Sequence, residues 1–241
     1  MHVYDKRDPN SIRELFASIA QRYDMGNAVL SMQLYRRWNR QLIEHVLEPS
    51  PPKILLDLCC GTGDIAFTYL QKAPKPPETI YMIDFCAEML ANAKAKGDRM
   101  PSRSEINYIV GDAQKIPLPD ASVDSVTIAY GIRNVTYPAQ CISETYRILK
   151  PGGRIGILEL TRPSNPFMRF GHSLYLRSVV PVVGRFLTSN QNAYEYLRKS
   201  ISHFIPATDL QRMFEETGFS NTQVIPLCGG IATIVSGFKR F

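Results

Sequence analysis

The feature that most constrains the fold is the stretch at residues 53–64, KILLDLCCGTGD. Apolar residues surround Asp57 in a short run that is typical of a buried parallel strand. Gly61, Thr62 and Gly63 then form a turn before the helical pattern IAFTYLQK. Glycine lets the main chain approach a ligand closely, and the first N–H groups of a helix offer hydrogen bonds. This order of strand, glycine turn and helix predicts a nucleoside-cofactor site.

The glycine spacing narrows the kind of cofactor. A dinucleotide site carries G-x-G-x-x-G and a phosphate-binding loop carries Lys followed by Ser or Thr, and neither pattern follows here. Asp64 stands where a pyrophosphate would lie and would repel it, whereas a cationic cofactor without phosphate would be tolerated. We therefore predict S-adenosylmethionine, whose sulfonium and amino groups are both positive. A tight turn that binds nothing is the alternative.

Length and composition indicate one α/β domain over residues 1–241. Apolar residues make up 44% of the chain, and no uninterrupted run approaches the roughly 18 residues that a membrane helix needs. The first residues, MHVYDKRDPNS, contain no apolar secretory segment. We therefore expect a cytoplasmic location, with peripheral contact at the cytoplasmic face of the membrane left open.

The cysteines and histidines give no metal-binding pattern. The five cysteines are an odd number without a repeated C-x-x-C spacing, so we expect free thiols in a reducing compartment. The four histidines are scattered, and none lies beside a cysteine in sequence. No metal site is predicted from these residues, which are Cys59, Cys60, Cys86, Cys141, Cys228, His2, His45, His172 and His203.

The net charge of +6 and the pI near 9.1 allow an anionic membrane surface or a nucleic acid as partner. The chain has no Lys/Arg tract, and we expect no nucleic-acid partner. No acidic residue occurs between Glu159 and Glu195, and the arginines there recur at intervals of seven and eight residues. On a helix this spacing keeps successive arginines near one face. They are Arg162, Arg169, Arg177 and Arg185.

The alternation of strand and helix patterns predicts a Rossmann-like, doubly wound and mostly parallel seven-stranded sheet that ends in an antiparallel hairpin. Residues 1–50 read as an N-terminal helical cap with a break near 25–27. Residues 51–160 form the cofactor-binding core, and a helical insertion follows the fifth strand at 161–205. Residues 206–241 complete the domain with a helix and the hairpin.

Polar residues stand at the ends of the predicted strands. Asp84 ends the second strand, 21 residues beyond Gly63, where it would accept the ribose hydroxyls of a nucleoside. Its alternative role is to cap the helix that starts at Cys86. After the third strand, the Asp112 carboxylate would accept the adenine amino group, and the small Ala113 would leave room for the ring.

Several segments together resemble the ubiquinone/menaquinone biosynthesis C-methyltransferases, a branch of the class I S-adenosylmethionine-dependent methyltransferases. The glycine turn alone is typical of the superfamily, whereas YD-x-x-N-x-x-LS and GIRNV are typical of this branch. The resemblance runs over nearly the whole chain. Its segments are FASIAQRYDMGNAVLS, DLCCGTGD, GDAQKIPLPDASVD, YGIRNV, RILKPGGRIGILEL and LCGGIATIVSGFKR.

The resemblance implies methyl transfer to a ring carbon of a polyprenylated quinol, most simply 2-demethylmenaquinol. Benzoquinol methylation in ubiquinone biosynthesis and methylation of RNA or a small molecule are the alternatives. A dehydrogenase, or a nucleotide-binding protein without catalytic activity, is the alternative from a different functional class. The predicted cofactor-binding residues are Asp57, Gly61, Thr62, Gly63, Asp84, Asp112 and Ala113, of which Thr62, Asp84, Asp112 and Ala113 match cofactor contacts of the family.

Three residues are predicted to act in catalysis. Arg133, after the fourth strand, would stabilise a ring phenolate or orient a water that acts as base, with a salt bridge to Glu159 as its alternative role. Asn134 would position the substrate by hydrogen bonding. Tyr23 would place its hydroxyl over the site, unless it is a packing residue. His203, beside the insertion, is a weaker candidate for a base.

The apolar insertion fits an acceptor with a long isoprenoid tail. Its side chains would line a tunnel or face a bilayer, and its arginines would meet anionic head groups, with peripheral membrane contact through residues 162–190. A packed lid with solvated arginines is the alternative, and a homodimer also stays open.

Several positions depart from the family. Tyr35 stands where histidine is common, and Ala129 where some relatives have serine. Met32 and Gln33 replace a glycine-containing turn, and Cys59 and Cys60 replace smaller residues.

Overall fold

The computed structural model describes residues 8–187 and 191–241, with side chains described for residues 8–182 and 193–241. Its described residues form one seven-stranded sheet in the order β3-β2-β1-β4-β5-β7-β6. The first five strands pair in parallel, and β7 pairs antiparallel with both β5 and β6. The predicted fold class is confirmed. The strands are β1 Ile54–Leu58, β2 Thr79–Asp84, β3 Glu105–Val110, β4 Val123–Ala129, β5 Leu149–Leu160, β6 Phe219–Leu227 and β7 Ala232–Lys239.

Helices cover both faces of the sheet and form the predicted cap and insertion. The cap contains α1 Pro9–Ile19, α2 Tyr23–Leu30 and α3 Leu34–Val46. The parallel half contains α4 Asp64–Lys72, α5 Ala87–Gly97 and α6 Pro138–Ile148. The insertion contains α7 Pro166–Leu187 and α8 Gln191–His203, and α9 Ala207–Thr217 precedes the hairpin. The division into one domain with these boundaries stays a prediction, and residues 188–190 and the side chain of Arg185 lie outside the described part.

The core lies on both faces of the sheet because side chains alternate along each strand. On β1, Leu56 and Leu58 pack into the cluster that includes Phe214 of α9. Leu55 points to the opposite cluster, which includes Leu42 of α3. A parallel sheet covered on both faces in this way explains why its strands read as continuous apolar runs.

The predicted break in the cap at residues 25–27 is wrong. Gly26 lies inside α2, where it is buried and an added Cβ would lie 3.9 Å from the Tyr194 hydroxyl. A helix tolerates an interior glycine at a cost of about 1 kcal/mol, which tertiary packing can offset. The helices instead separate after Leu30, where Met32 and Gln33 adopt the left-handed conformation with φ of 49° and 65°.

The Pro-Gly-Gly sequence at residues 151–153 is typical of a turn after a helix, but the structure places it within a strand. The preceding helix ends earlier, at Ile148, and the three residues belong to β5. The pairing of β4 with β5 shifts register between Val123 and Ser125, and Gly152 has a φ of 77°. The glycines therefore allow the backbone conformation of a β-bulge near the start of the strand, where the chain bends.

No helix among the described residues is long and apolar enough to cross a membrane. The insertion helix α7 nevertheless exposes large apolar side chains. Phe167 is 88% exposed, and further exposed apolar residues of α7 are Met168, Phe170, Leu174, Val179 and Val182. Arg169 and Arg177 of the same helix are exposed as well.

Replacement of Gly156 tests the contact between α3 and the sheet. An added Cβ would lie 2.4 Å from Val46 Cγ2 and 2.8 Å from Leu42 Cδ1. We expect Gly156→Ala to lower the free energy of unfolding by about 1–3 kcal/mol, because the packed helix must shift. Chemical denaturation measures this. The control is Gly171→Ala on α7, where nothing lies within 4 Å of the added Cβ; equal stability of the two variants would contradict the contact.

Candidate active site

The glycine turn lies at the carboxyl edge of the parallel strands, where ligands bind in sheets of this kind. Gly61 and Gly63 have φ of 55° and 85°, a region that side chains rarely adopt. A Cβ on Gly63 would lie 2.4 Å from Phe67 and 2.5 Å from Met82. The turn therefore needs glycine at position 63 for both conformation and packing.

Asp57 lies buried beneath this turn. Its Oδ1 accepts a hydrogen bond from the Thr127 hydroxyl at 2.9 Å, and its Oδ2 accepts from the Ala66 N–H at 3.3 Å. Burial raises the pKa of its carboxyl to about 7. Asp57 thus ties the start of α4 to β1 and β4, and its direct contact with a cofactor stays a prediction.

Asp84 joins the end of β2 to the glycine turn. Its Oδ2 accepts from the Gly61 N–H at 2.8 Å, and its Oδ1 accepts from the Cys86 N–H at 2.9 Å. Burial raises the pKa of this carboxyl to about 6. The helix-start role foreseen as an alternative is therefore present, but each carboxylate oxygen keeps a second lone pair that can accept a ribose hydroxyl.

A first cavity of about 230 Å³ opens at this edge. It is lined by the predicted residues Gly61, Asp84, Asp112 and Ala113, and Asn134 also contacts it. Apolar side chains complete its walls, namely Ile83, Phe85, Met89, Val135 and, on the cap, Phe16. Hydroxyl acceptors beside apolar walls fit a nucleoside such as the adenosine of S-adenosylmethionine.

The cap is tied to the glycine turn through Asp24 of α2. Its Oδ1 accepts from the Thr62 hydroxyl at 2.5 Å, and its Oδ2 forms a salt bridge with Lys96 Nζ at 2.5 Å. Lys96 also pairs with Asp64 at 3.3 Å. Thr62 and Gly63 do not line the first cavity, and their cofactor contacts stay predictions.

A second cavity of about 270 Å³ lies between the cap, the end of β4 and the insertion. Its walls are mainly apolar, and two residues, Tyr23 and Tyr130, line both cavities. Burial raises the pKa of the Tyr23 hydroxyl. The aliphatic and tryptophan residues of the second cavity are Leu30, Met32, Leu34, Trp38, Leu160, Leu176, Val180, Leu197, Ile201 and Ile231.

Arg133 lines the second cavity from a short 3₁₀ turn, Ile132–Asn134. Its Nη1 donates to Glu159 Oε1 at 2.5 Å and to the Tyr130 carbonyl at 2.7 Å. Burial works against the guanidinium charge, but the Glu159 carboxylate outweighs it and raises the pKa. The alternative salt bridge is therefore present. Arg133 Nε is buried and lacks a hydrogen-bond partner among the described residues.

The other predicted catalytic residues take different places. Asn134 lines the first cavity, and its Oδ1 accepts from the Tyr196 hydroxyl at 2.8 Å. Tyr23 lies between the cavities, as the hypothesis of a hydroxyl over the site requires. His203 is exposed at the end of α8, where Nδ1 lies 2.8 Å from the Lys199 carbonyl, and it lines neither cavity.

The sequence patterns missed two residues of the site. Tyr130 follows β4 with a φ of 57° and donates from its hydroxyl to Asn39 Oδ1 at 3.0 Å. His172 of α7 lines the second cavity. The position of Tyr130 at a strand end was the available signal, whereas nothing local distinguishes His172 from the other histidines. Tyr35, where the family commonly has histidine, lines the same cavity.

No cluster of three or more His, Cys, Asp or Glu side chains that could hold a metal ion occurs in the described part of the chain. The expected absence of a metal stays a prediction. The cysteines described there are free, with Cys86 and Cys141 buried.

Solved methyltransferase structures share this fold. An S-adenosylmethionine-dependent methyltransferase from Thermotoga maritima matches with a TM-score of 0.65 at 18% identity, over 94% of this chain and 99% of that chain. Haemonchus contortus phosphoethanolamine N-methyltransferase 2, in complex with S-adenosyl-L-methionine, matches with a TM-score of 0.62 at 15% identity, over 85% and 53%. The chain therefore has the fold of these methyltransferases.

The chain belongs to the ubiE/COQ5 methyltransferase family, whose sequence model matches residues 2–239. The demethylmenaquinone methyltransferase of Protochlamydia amoebophila is 48% identical, over 99% of both chains. That of Chlamydia muridarum is 40% identical, over 95% of this chain and 96% of its own. The ubiquinone/menaquinone biosynthesis C-methyltransferase UbiE of Roseobacter denitrificans is 33% identical, over 95% of this chain and 90% of its own. The resemblance found in the sequence is confirmed.

The pH dependence of cofactor binding tests Asp84. Because its pKa is raised to about 6, the carboxyl gains its proton as the pH falls through that value. Ribose hydroxyls need the anion as acceptor, so affinity for S-adenosylhomocysteine should rise with pH up to about 6 and level off above it. Below pH 6 we expect the affinity for S-adenosylhomocysteine to fall by about 10-fold per pH unit, which calorimetry measures.

Matched variants complete this test. Asp84→Asn should weaken micromolar binding of the cofactor strongly and remove the pH dependence, and Asp84→Ala should abolish binding. Asp98→Asn, at the exposed end of α5, should leave the cofactor affinity and its pH dependence unchanged. Undiminished binding by either Asp84 variant would contradict the ribose assignment.

Proposed function

We propose that this enzyme transfers a methyl group from S-adenosylmethionine to a ring carbon of a polyprenylated quinol, 2-demethylmenaquinol. One observation carries the proposal: a nucleoside-shaped cavity and a larger apolar cavity meet at Tyr23 and Tyr130. A methyl donor in the first cavity and a quinol ring in the second cavity would meet beside the Tyr23 and Tyr130 side chains. Such an arrangement holds both reactants in place, which is the main requirement of a group transfer.

The first cavity supplies the groups that a methyl donor needs. Asp84 would accept the ribose hydroxyls, and Asp112 would accept the adenine amino group beside the small Ala113. When bound, S-adenosylmethionine supplies an electrophilic methyl group on a sulfonium. The Gly61 turn brings the main chain close to the ligand. These assignments are supported by the position of all four residues around one cavity.

The second cavity supplies the groups that an electron-rich ring needs. A quinol carbon becomes nucleophilic when the adjacent hydroxyl loses its proton, and the resulting oxyanion requires a positive hydrogen-bond donor. Arg133 is the candidate for this donor, because it lines the cavity and its positive charge is fixed by Glu159.

The names of the relatives favour the naphthoquinol over the benzoquinol. The two more similar relatives, at 48% and 40% identity, carry the name demethylmenaquinone methyltransferase alone. The relative at 33% identity carries a name that joins ubiquinone and menaquinone biosynthesis. We therefore propose 2-demethylmenaquinol as the acceptor.

We also propose that the insertion contacts the membrane peripherally at the mouth of the second cavity. Met32 lines this cavity and is 70% exposed, so the cavity wall reaches the surface there. Helix α2, which carries the exposed Met25 and Val29, packs against α7 with its exposed phenylalanines. An isoprenoid tail could thus pass between the apolar cavity and a bilayer, with Arg169 and Arg177 near anionic head groups.

A methylation assay tests the acceptor. The enzyme, S-adenosylmethionine and a reduced demethylmenaquinone analogue should yield a product heavier by one methylene unit, detected by mass spectrometry. The oxidised quinone should not react, because its ring carbon lacks the electron density. A reduced benzoquinol acceptor should react more slowly. Equal turnover of quinol and quinone would overturn the mechanism, and no turnover of any quinol would overturn the proposed function.

Arg133→Lys provides the site-specific variant for this assay. Lysine keeps a positive charge beside Glu159 but removes the planar guanidinium and its Nε–H. We expect kcat to fall by about 10²–10³, as for removal of an oxyanion donor, with cofactor binding retained. A variant with the kcat of the wild type would contradict the role of Arg133.

Vesicle sedimentation tests the membrane contact. The double variant Phe167→Ser, Phe170→Ser should bind less to phosphatidylserine-containing vesicles. The double variant Arg169→Gln, Arg177→Gln should do so too, with a loss of about 1 kcal/mol of binding free energy for each arginine. Arg99→Gln with Arg103→Gln is the charge-matched control, because these exposed residues lie between α5 and β3, at the opposite edge of the sheet. Unchanged sedimentation of the α7 variants would leave this surface without a membrane role.

A further inference from the structure

His172 stands out in the second cavity because its imidazole is a base that has no hydrogen-bond partner among the described residues. It follows Gly171 on α7, and both residues line the cavity. The neighbouring Phe170 and Leu174 are exposed, whereas His172 lines the cavity on the same face of α7 as the buried Leu176 and Val180. No described residue forms a hydrogen bond with the ring of His172, which is half-buried. A polar group held in an apolar cavity in this way is available to a ligand.

The other ionisable groups of the cavity are poor proton acceptors near neutral pH. No carboxylate occurs among its described lining residues. A guanidinium stays protonated, and an ordinary tyrosine keeps its proton up to about pH 10. Burial raises the pKa of Tyr23, Tyr130 and Tyr175 further. The titratable groups that share the cavity with His172 are Tyr23 of α2, Tyr35 of α3, Tyr130 and Arg133 after β4, and Tyr175 of α7.

The state of the imidazole suits a base. Burial lowers the pKa of His172, so the ring is neutral at pH 7 and one nitrogen keeps a free lone pair. Helix α8 adds Leu197 and Ile201 to the same cavity and no charge among its described lining residues. Nothing acidic in the cavity therefore holds the ring in its protonated form.

We propose that His172 is the general base that takes the proton from the quinol hydroxyl, with Arg133 stabilising the oxyanion. This rests on the proposed function. The proton moves from the ring hydroxyl to the free imidazole nitrogen, and the electron pair of the adjacent ring carbon forms the bond to the methyl group. The methyl–sulfur bond breaks with its electron pair left on sulfur.

The remaining protons balance without another reagent. The methylated ring carbon loses its hydrogen as a proton to water, and the ring becomes aromatic again. The protonated imidazole returns its proton to the ring oxygen, so His172 is regenerated as the neutral base. One proton is released for each methyl group transferred, and no oxidant or reductant takes part.

The test compares His172→Gln with His203→Gln in assays from pH 5.5 to 9. A reduced demethylnaphthoquinol is the acceptor, and S-adenosylmethionine is saturating, so titration of Asp84 does not enter. For the wild type, kcat should fall about 10-fold per pH unit on the acid side, below the pKa of the imidazole. His172→Gln should lower kcat by about 10²–10⁴ and remove this acid limb. His203→Gln should match the wild type, because His203 lies outside the cavity.

Chemical rescue separates a base from a residue that only shapes the cavity. His172→Ala should be slow, and added imidazole should restore its rate in proportion to the neutral imidazole present. Calorimetry with S-adenosylhomocysteine should give the affinity of the wild type for both His172 variants, which shows that they are folded. A His172→Gln variant that keeps the acid limb, or a His172→Ala variant without rescue, would overturn the base. A wild type without turnover of any quinol would instead overturn the proposed function itself.

Discussion

The buried ion pair between Arg133 and Glu159 determines much of the site. Glu159 lies near the end of β5 and accepts from the Arg133 main-chain N–H at 3.2 Å and from Nη1. The pair thus joins the ends of two neighbouring strands and fixes the turn that carries Asn134. Removal of one partner would leave an unpaired buried charge, which typically costs about 3–5 kcal/mol. Since Nη1 meets both Glu159 and the Tyr130 carbonyl, the guanidinium has a fixed orientation in the second cavity.

The sequence predicted the parts of the structure that depend on local patterns. Short apolar runs mark β1 and β2, because a strand covered on both faces needs few polar residues. The ends of the predicted strands then placed Asp84, Asp112 and Arg133 at one edge, since parallel strands share their carboxyl side. The structure adds that Asp84 also accepts a hydrogen bond from the Gly61 N–H at 2.8 Å, so one carboxylate orders the turn on which the cofactor prediction is based.

The features that the sequence did not predict depend on contacts between distant residues. Gly26 suggested a break, but its packing beside Tyr194 of α8 keeps it within a helix. Asp64 is predicted to repel a pyrophosphate, and no sequence pattern indicated that Lys96 of α5 pairs with it at 3.3 Å. His172 lines the second cavity because α7 packs against α2 of the cap. Periodicity alone does not give such relations, because it describes one segment at a time.

The two cavities draw on different parts of the chain. Apart from Tyr23 and Tyr130, the first uses α1 and the strand ends of the parallel half, whereas the second uses α2, α3 and the insertion. The insertion can therefore diverge through evolution while the donor half stays intact. At 15% identity the fold is shared with an enzyme named phosphoethanolamine N-methyltransferase 2. In the proposed reaction, residues that line only the second cavity could change without altering the donor site.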